Sequence, residues 1–219
     1  MQAVEVATIK IKAGSNVFDR GSEAARIWRG MLDTISRQKG CQTLYSGQEH
    51  ESPNIVQLLV VVWDSVQSHK NFMDSPQYQP FLDTLSPLLA GQPQLVHFEL
   101  KSAADDLAAA VFAPVTELAT IFLTEKTQSF YDNVGSFADI LRDHTEGFLG
   151  ISYSWCIEDV EHECLGEGFK GKACILAIGW SSIDAHLAFK QTDAFRRGLE
   201  FLRGARGSEI HHTIFQTTG

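Results

Sequence analysis

The sequence predicts an α+β protein built from two copies of a β-α-β-β-α-β unit. Three observations carry that prediction. The stretch Trp63 to Leu82 is answered by Trp180 to Leu199, and Trp63/Trp180, Ser65/Ser182, His69/His186, Phe72/Phe189 and Leu82/Leu199 share one offset without a gap. Strand-like and helix-like apolar patterns then follow in the same order in each half. The length of 219 residues suits two domains of about 100 residues each. One long period seen twice indicates a duplicated domain, since a solenoid needs shorter units and at least three of them.

The first copy reads as follows. Val4 to Ile11 is rich in β-branched residues and ends near Gly14, which predicts a strand. Ala24, Ile27, Trp28, Met31, Leu32 and Ile35 are spaced by threes and fours, predicting an amphipathic helix over 22–39 that stops at Gly40. Cys41 to Gln48 is a second strand, and Glu51-Ser52-Pro53-Asn54 a turn. Ile55 to Trp63 is apolar on both faces and therefore a central strand. Asp64 or Ser65 caps the next helix. Pro76 interrupts that helix because it has no amide hydrogen to donate. Gln94 to Leu100 closes the unit as a fourth strand.

The second copy repeats this order. Val115 to Leu123 mirrors the first strand, with Ala119-Thr120-Ile121 answering Ala7-Thr8-Ile9. A helix over 129–144 follows, and Gly147 answers Gly40. Phe148 to Ile157 and Ala173 to Trp180 are the middle strands, joined by a long acidic loop. One helix over 181–203 and a strand over 210–216 complete it. The predicted halves are 1–101 and 115–219, with 102–114 as a linker able to form a turn or two of helix. Each unit places a four-stranded antiparallel sheet under its helices. The second face of each sheet also needs cover, and the other copy is the simplest partner, as two packed sheets or a closed barrel.

Composition narrows the function. A net charge of −9 and the lack of a basic run argue against a nucleic-acid surface. No apolar run reaches the roughly 20 residues of a membrane span, and no signal-peptide pattern opens the chain, so a cytoplasmic protein without a membrane partner is expected. Cys41, Cys156, Cys164 and Cys174 form no C-x-x-C pair or common zinc pattern, which predicts reduced thiols and no metal. Nucleotide-binding, zinc-protease and nucleophile-elbow motifs are absent, so no cofactor is expected.

Trp63, Ser65, Phe72, Ser75-Pro76 and Tyr78, a W-x-S at a strand end followed by aromatics and a Ser-Pro helix, resemble the antibiotic-biosynthesis-monooxygenase-like domains of the dimeric α+β barrel superfamily. The resemblance covers about 3–100 and 115–217. It implies tandem ferredoxin-like units forming an intramolecular dimeric α+β barrel, hence an internal pseudo-dimer that is monomeric as a chain. Tandem proteins of this kind resemble fungal proteins of secondary metabolism. Members of the superfamily include cofactor-free oxygenases of aromatic polyketides, polyketide cyclases and haem-degrading enzymes. Leu82 and Leu199 stand where the haem-degrading members resemble a ligating His, which argues against haem.

The resemblance implies a ligand between sheet and helices, and the residues expected there set the chemistry. Tyr78 can donate a proton to a developing enolate, its pKa lowered by a nearby cation. Its counterpart is Phe195, so chemistry is expected in the first copy. His97 on the last strand can act as a base, with His211 as its counterpart and His212 next to it on the opposite strand face. His69 and His186 open a helix, where bonding a carbonyl is the simplest use. His50, His144 and His162 carry no pattern. Tyr78, His97, His212 and His69 are the catalytic candidates, and Phe72, Trp63, Phe81, His211 and Phe189 the substrate-binding ones. Simple core packing is the alternative for each, above all for Trp63 and Trp180.

The resulting expectation is a cofactor-independent tailoring enzyme acting by His/Tyr acid–base chemistry on a small apolar phenolic or polyketide-like substrate. Cyclisation or isomerisation is favoured over attack of the carbanion on oxygen. The competing expectation is a non-catalytic ligand-binding or stress-related barrel whose pockets have become core.

Overall fold

The computed structural model describes residues 2–52, 56–100 and 104–217. Pro53 and Asn54 of the expected turn lie outside the described residues, as does the start of the expected linker. The chain divides into two compact units, residues 1–97 with 216–219, and residues 98–215.

In the first unit β1 (Ala3–Lys10) and β2 (Cys41–Glu49) both pair antiparallel with β3 (Val56–Trp63), and β4 (Gln94–Glu99) adds beside β1, giving the order β4-β1-β3-β2. Helix α1 (Glu23–Ser36) is capped by the Ser22 side chain, which accepts from the Ala25 amide. It buries Ile27, Trp28, Met31, Leu32 and Ile35 against Ala7, Ile9, Leu59, Val61 and Trp63 of the sheet. These residues alternate along β1 and β3, as one covered sheet face requires. Helix α2 (Val66–Met73) begins at a Ser65 cap, and α3 (Tyr78–Leu85) follows after a break.

The second unit repeats the plan. Strands β5 (Val115–Leu123), β6 (Phe148–Trp155), β8 (Lys170–Trp180) and β9 (Gly207–Thr217) take the order β9-β5-β8-β6. Helices α5 (Gln128–His144), α6 (Ile183–Phe189) and α7 (Asp193–Phe201) stand where α1, α2 and α3 do. At the turn from the first helix into the second strand of each copy, Gly40 and Gly147 have φ of 93° and 81°. A Cβ there would meet Ser68 Cβ at 2.5 Å and Ala185 Cβ at 2.6 Å, so both corners need glycine.

Two expectations are corrected and a third is made specific. The second-copy helix over 181–203 is two helices, broken at 190–192 without a proline. The Thr192 side chain caps α7 through the Phe195 amide. The break in the second copy is therefore made by a threonine cap, whereas in the first copy α3 starts after Pro76 with no side-chain cap. The acidic loop contains regular structure: β7 (Val160–Glu161) pairs with Lys170 and Gly171, so β8 starts three residues before the expected Ala173, and a 3-10 turn covers Glu163–Leu165. The 102–114 stretch carries α4 (Ala104–Val111), which buries Leu107, Ala110 and Val111 and packs on β6 and β8. Gly179 admits it, since a Cβ there would lie 2.8 Å from Ala113 Cβ and 3.0 Å from Ala110 backbone. Ile178 and Trp180, on either side of Gly179, pack with α5 instead. So α4 covers the opposite face of that sheet.

Candidate active site: a twice-repeated Glu–Trp–His–His cluster

Four buried side chains meet in the first unit. Strand β1 supplies Glu5, the end of β3 supplies Trp63, α2 supplies His69 and β4 supplies His97. The Ser65 cap starts α2 so that His69 falls one turn in, directed back at the sheet. Trp63 Nε1 donates to Glu5 Oε2 at 2.8 Å. His69 Nδ1 lies 3.3 Å from the same oxygen and 2.7 Å from His97 Nε2. The His69 ring stacks on Trp63 with centroids 5.0 Å apart. Glu5, His69 and His97 are at most 6% exposed.

The second unit repeats this with Glu117, Trp180, His186 and His212. Trp180 Nε1 donates to Glu117 Oε2 at 2.8 Å, and His186 Nδ1 meets His212 Nε2 at 2.7 Å. Here the carboxylate faces the other ring nitrogen, His186 Nε2, at 3.4 Å. Trp180 and His186 stack at 5.1 Å. Burial raises the Glu117 pKa, and the Trp180 hydrogen bond and the charges of His212 and Lys190 only offset part of that.

A buried carboxylate costs several kcal/mol unless it is hydrogen-bonded or paired. The indole N–H and the imidazoles satisfy this one. A contact of 2.7 Å between two imidazole nitrogens needs a ring N–H from one of them, donated to the lone pair of the other.

The first cluster borders a cavity of about 50 Å³. Glu5, Trp63 and His69 form one end, and Phe72, Tyr78 and Phe81 line it with Leu82 and Leu85. Phe72 packs edge-on to Tyr78 at 5.2 Å and to Phe81 at 5.3 Å. Burial raises the Tyr78 pKa, and the negative charge of Glu5 raises it further. This reverses the expected lowering by a cation: the phenol faces an anion and is held as a proton donor.

The sequence candidates thus separate. Tyr78, His69, Trp63, Phe72 and Phe81 share the cavity wall, and His97 stands behind His69. His212, not His211, is the counterpart of His97. The offset is 117 at the tryptophans (180 − 63) and 115 here (212 − 97), because the connection before β9 is two residues shorter. His212 lies opposite Glu117 across the β5–β9 ladder, whereas His211 lies opposite Leu118 and points to the other sheet face. His69 bonds another imidazole and faces a carboxylate, which the expected carbonyl role did not include. Phe189 packs in the second unit between Trp180 and Phe195. Leu82 is an apolar cavity wall and Leu199 is 45% exposed.

Glu5 and Glu117 were not among the candidates. Their signal was present: the Ala-Thr-Ile match sets an offset of 112 between β1 and β5 (119 − 7), and at that offset Glu5 meets Glu117. A glutamate repeated within two buried apolar strands needs a partner.

Glu5, His69 and His97, and equally Glu117, His186 and His212, each bring three metal-type donor atoms within 4.8 Å of one another. Two imidazole nitrogens bound tetrahedrally at about 2.0–2.1 Å stand about 3.3 Å apart. The 2.7 Å spacing here is that of a hydrogen bond. These six residues would hold an ion only after each ring pair opened.

Residues 3–84 match the sequence model of the antibiotic biosynthesis monooxygenase family. Among curated proteins no sequence matches the chain. In solved structures the chain is similar over its full length to an anthrone oxidase-like protein, with 11% identity, 92% of that chain covered and a TM-score of 0.69. A candidate monooxygenase from Fusobacterium nucleatum is similar over 100% of this chain and 95% of its own, with 11% identity and a TM-score of 0.58. A candidate chlorite dismutase is similar over 98% of this chain and 94% of its own, with 13% identity and a TM-score of 0.54. Whole-chain coverage agrees with two ferredoxin-like α+β domains in tandem. The comparisons lend no support to a fungal type.

Proposed function

We propose that the first unit is a cofactor-independent acid–base site for an apolar phenolic or polyketide-like molecule. The observation that carries this reading is the His69–His97–Glu5 cluster at the end of an aromatic-lined cavity that also holds Tyr78. His69 takes a proton from an enolisable or phenolic carbon acid, and His97 and Glu5 stabilise the imidazolium that forms. Tyr78 supports the developing oxyanion as a hydrogen-bond donor. The aromatic wall excludes water and favours a flat apolar substrate.

The carbanion then either attacks oxygen or closes a ring. The match of residues 3–84 to a monooxygenase family supports oxygenation, whereas the sequence alone favoured cyclisation. A cavity of about 50 Å³ holds a water or two, far less than the roughly 300 Å³ of a typical ligand pocket. Substrate entry therefore requires α3, which supplies Tyr78, Phe81, Leu82 and Leu85, to move outward. Helix α3 has no side-chain cap bond at its start, unlike α7.

The test is a panel of phenolic and polyketide-like compounds incubated with the protein in air and under argon, with oxygen uptake and product mass recorded. Consumption with oxygen uptake supports the oxygenase branch, and oxygen-independent consumption supports ring closure. Binding without consumption across the panel would favour a non-catalytic ligand-binding protein.

A further inference from the structure

The second unit carries a separate constellation of Cys164, His162 and Glu209. His162 precedes the 3-10 turn, Cys164 lies within it, and Glu209 comes from β9. His162 Nδ1 lies 2.9 Å from Cys164 Sγ, and it accepts the Cys164 backbone amide at 3.2 Å. On the far side of the ring, Nε2 meets Glu209 Oε1 at 3.0 Å. Phe122 stacks flat on the imidazole, with centroids 4.0 Å apart and planes at 9°.

The tautomer follows from these partners. Because Nδ1 accepts an amide N–H, its lone pair is free of a ring proton, and the proton sits on Nε2, donated to Glu209. A basic nitrogen is thereby held beside a thiol, with a carboxylate behind it to stabilise the imidazolium. The three groups lie in line through opposite ring nitrogens, which is the order of a nucleophile–base–carboxylate relay and not the convergence of a metal site. The other thiols differ. Cys156 and Cys174 are buried, and burial pushes the Cys156 thiol up to about 12 and Cys41 up to about 11. Cys164 and Cys41 are both half-buried, and Cys164 has the His162 nitrogen 2.9 Å from its sulfur.

We infer that Cys164 is a nucleophilic thiol that takes up an alkene conjugated to a carbonyl, with His162 as its base and Glu209 as a positioning residue. The Sγ proton passes to His162 Nδ1. The thiolate adds to the β-carbon of the alkene, the π electrons move to the carbonyl oxygen as an enolate, and the imidazolium returns the proton. One C–S bond forms, no group leaves and no oxidant is consumed. This site is independent of the first-unit cavity.

N-ethylmaleimide at limiting concentration, with site-resolved peptide mass spectrometry of the intact full chain, tests this. Cys164 is expected to label first, about tenfold or more faster than N-acetylcysteine at the same neutral pH and faster than Cys41. H162Q should slow Cys164 about tenfold, and the exposed E209Q several-fold. A purely structural His162 predicts the opposite sign, because loosening the turn exposes the thiol and speeds labelling. Continued protection of Cys156 and Cys174 shows that each variant is folded; if H162Q fails that control, E209Q carries the test. Labelling of Cys164 at or below the N-acetylcysteine rate, or variants that label as fast as the parent, would overturn the inference.

Discussion

Tyr78 and Glu117 show how burial sets the state of a titratable group here. Tyr78 is held above its ordinary pKa of 10.0 by burial and by Glu5, so its proton remains available throughout the neutral range. Tyr78→Phe removes a donor without leaving a hole, and turnover should fall about 100-fold with the fold intact by circular dichroism. Glu117 binds its proton more tightly in the folded than in the unfolded chain. Its stabilising contribution is complete below the ordinary value of 4.5 and is lost as pH rises through the raised value. Glu117→Gln keeps an acceptor for the Trp180 N–H and removes that loss. Urea unfolding at pH values on either side should show the variant gaining stability relative to the parent as pH rises. Neither glutamate was picked out from the sequence. A glutamate in a strand of apolar residues reads as an outward-facing residue until its partners are known, and those partners, Trp63 and His69, lie some sixty residues away. The histidines were legible by their repetition, but the pairing of His97 with His69 depended on a two-residue change in a connection.

Among the elements, the strands and the first helix of each copy were legible because their periodicity and capping residues agree. Ser65 and Ser182 cap equivalent helices, accepting from the Ser68 and Ala185 amides. Ser65→Ala and Ser182→Ala should each cost about 1 kcal/mol in denaturant unfolding, and Ser65→Ala should also lower turnover because the cap aims His69. What patterning did not reveal was where α4 packs. Its alanine-rich sequence is weakly amphipathic in reading, and its position is fixed by a feature of another element, the missing side chain at Gly179. Gly179→Ala places a Cβ against Ala113 and the Ala110 backbone and should destabilise the chain by about 1–3 kcal/mol, measured as a lower urea midpoint at constant slope. The helix break in the second copy was missed for a related reason: a proline marked it in one copy, and a threonine cap does the same work silently in the other.

Across the whole molecule, the duplication preserves the buried Glu–Trp–His–His cluster while the helices above it diverge. Tyr78 becomes Phe195, and Leu82, on the cavity wall, becomes the exposed Leu199. Preservation of the cluster in both units has a structural reason, since a buried carboxylate and two imidazoles are costly to leave unpaired once present. Divergence above it leaves the Tyr78 phenol beside the first cluster and the Phe195 phenyl ring at that position in the second, and the proposed assignment of chemistry to the first unit rests on that difference. No helix among the described residues is long and apolar enough to cross a membrane. The most direct measurement is turnover of His69→Ala and His186→Ala, side by side, on a compound that the parent protein consumes. The account predicts that His69→Ala loses about 100-fold or more, while His186→Ala keeps its activity and loses only stability. Equal losses in both variants, or full activity in His69→Ala, would contradict it.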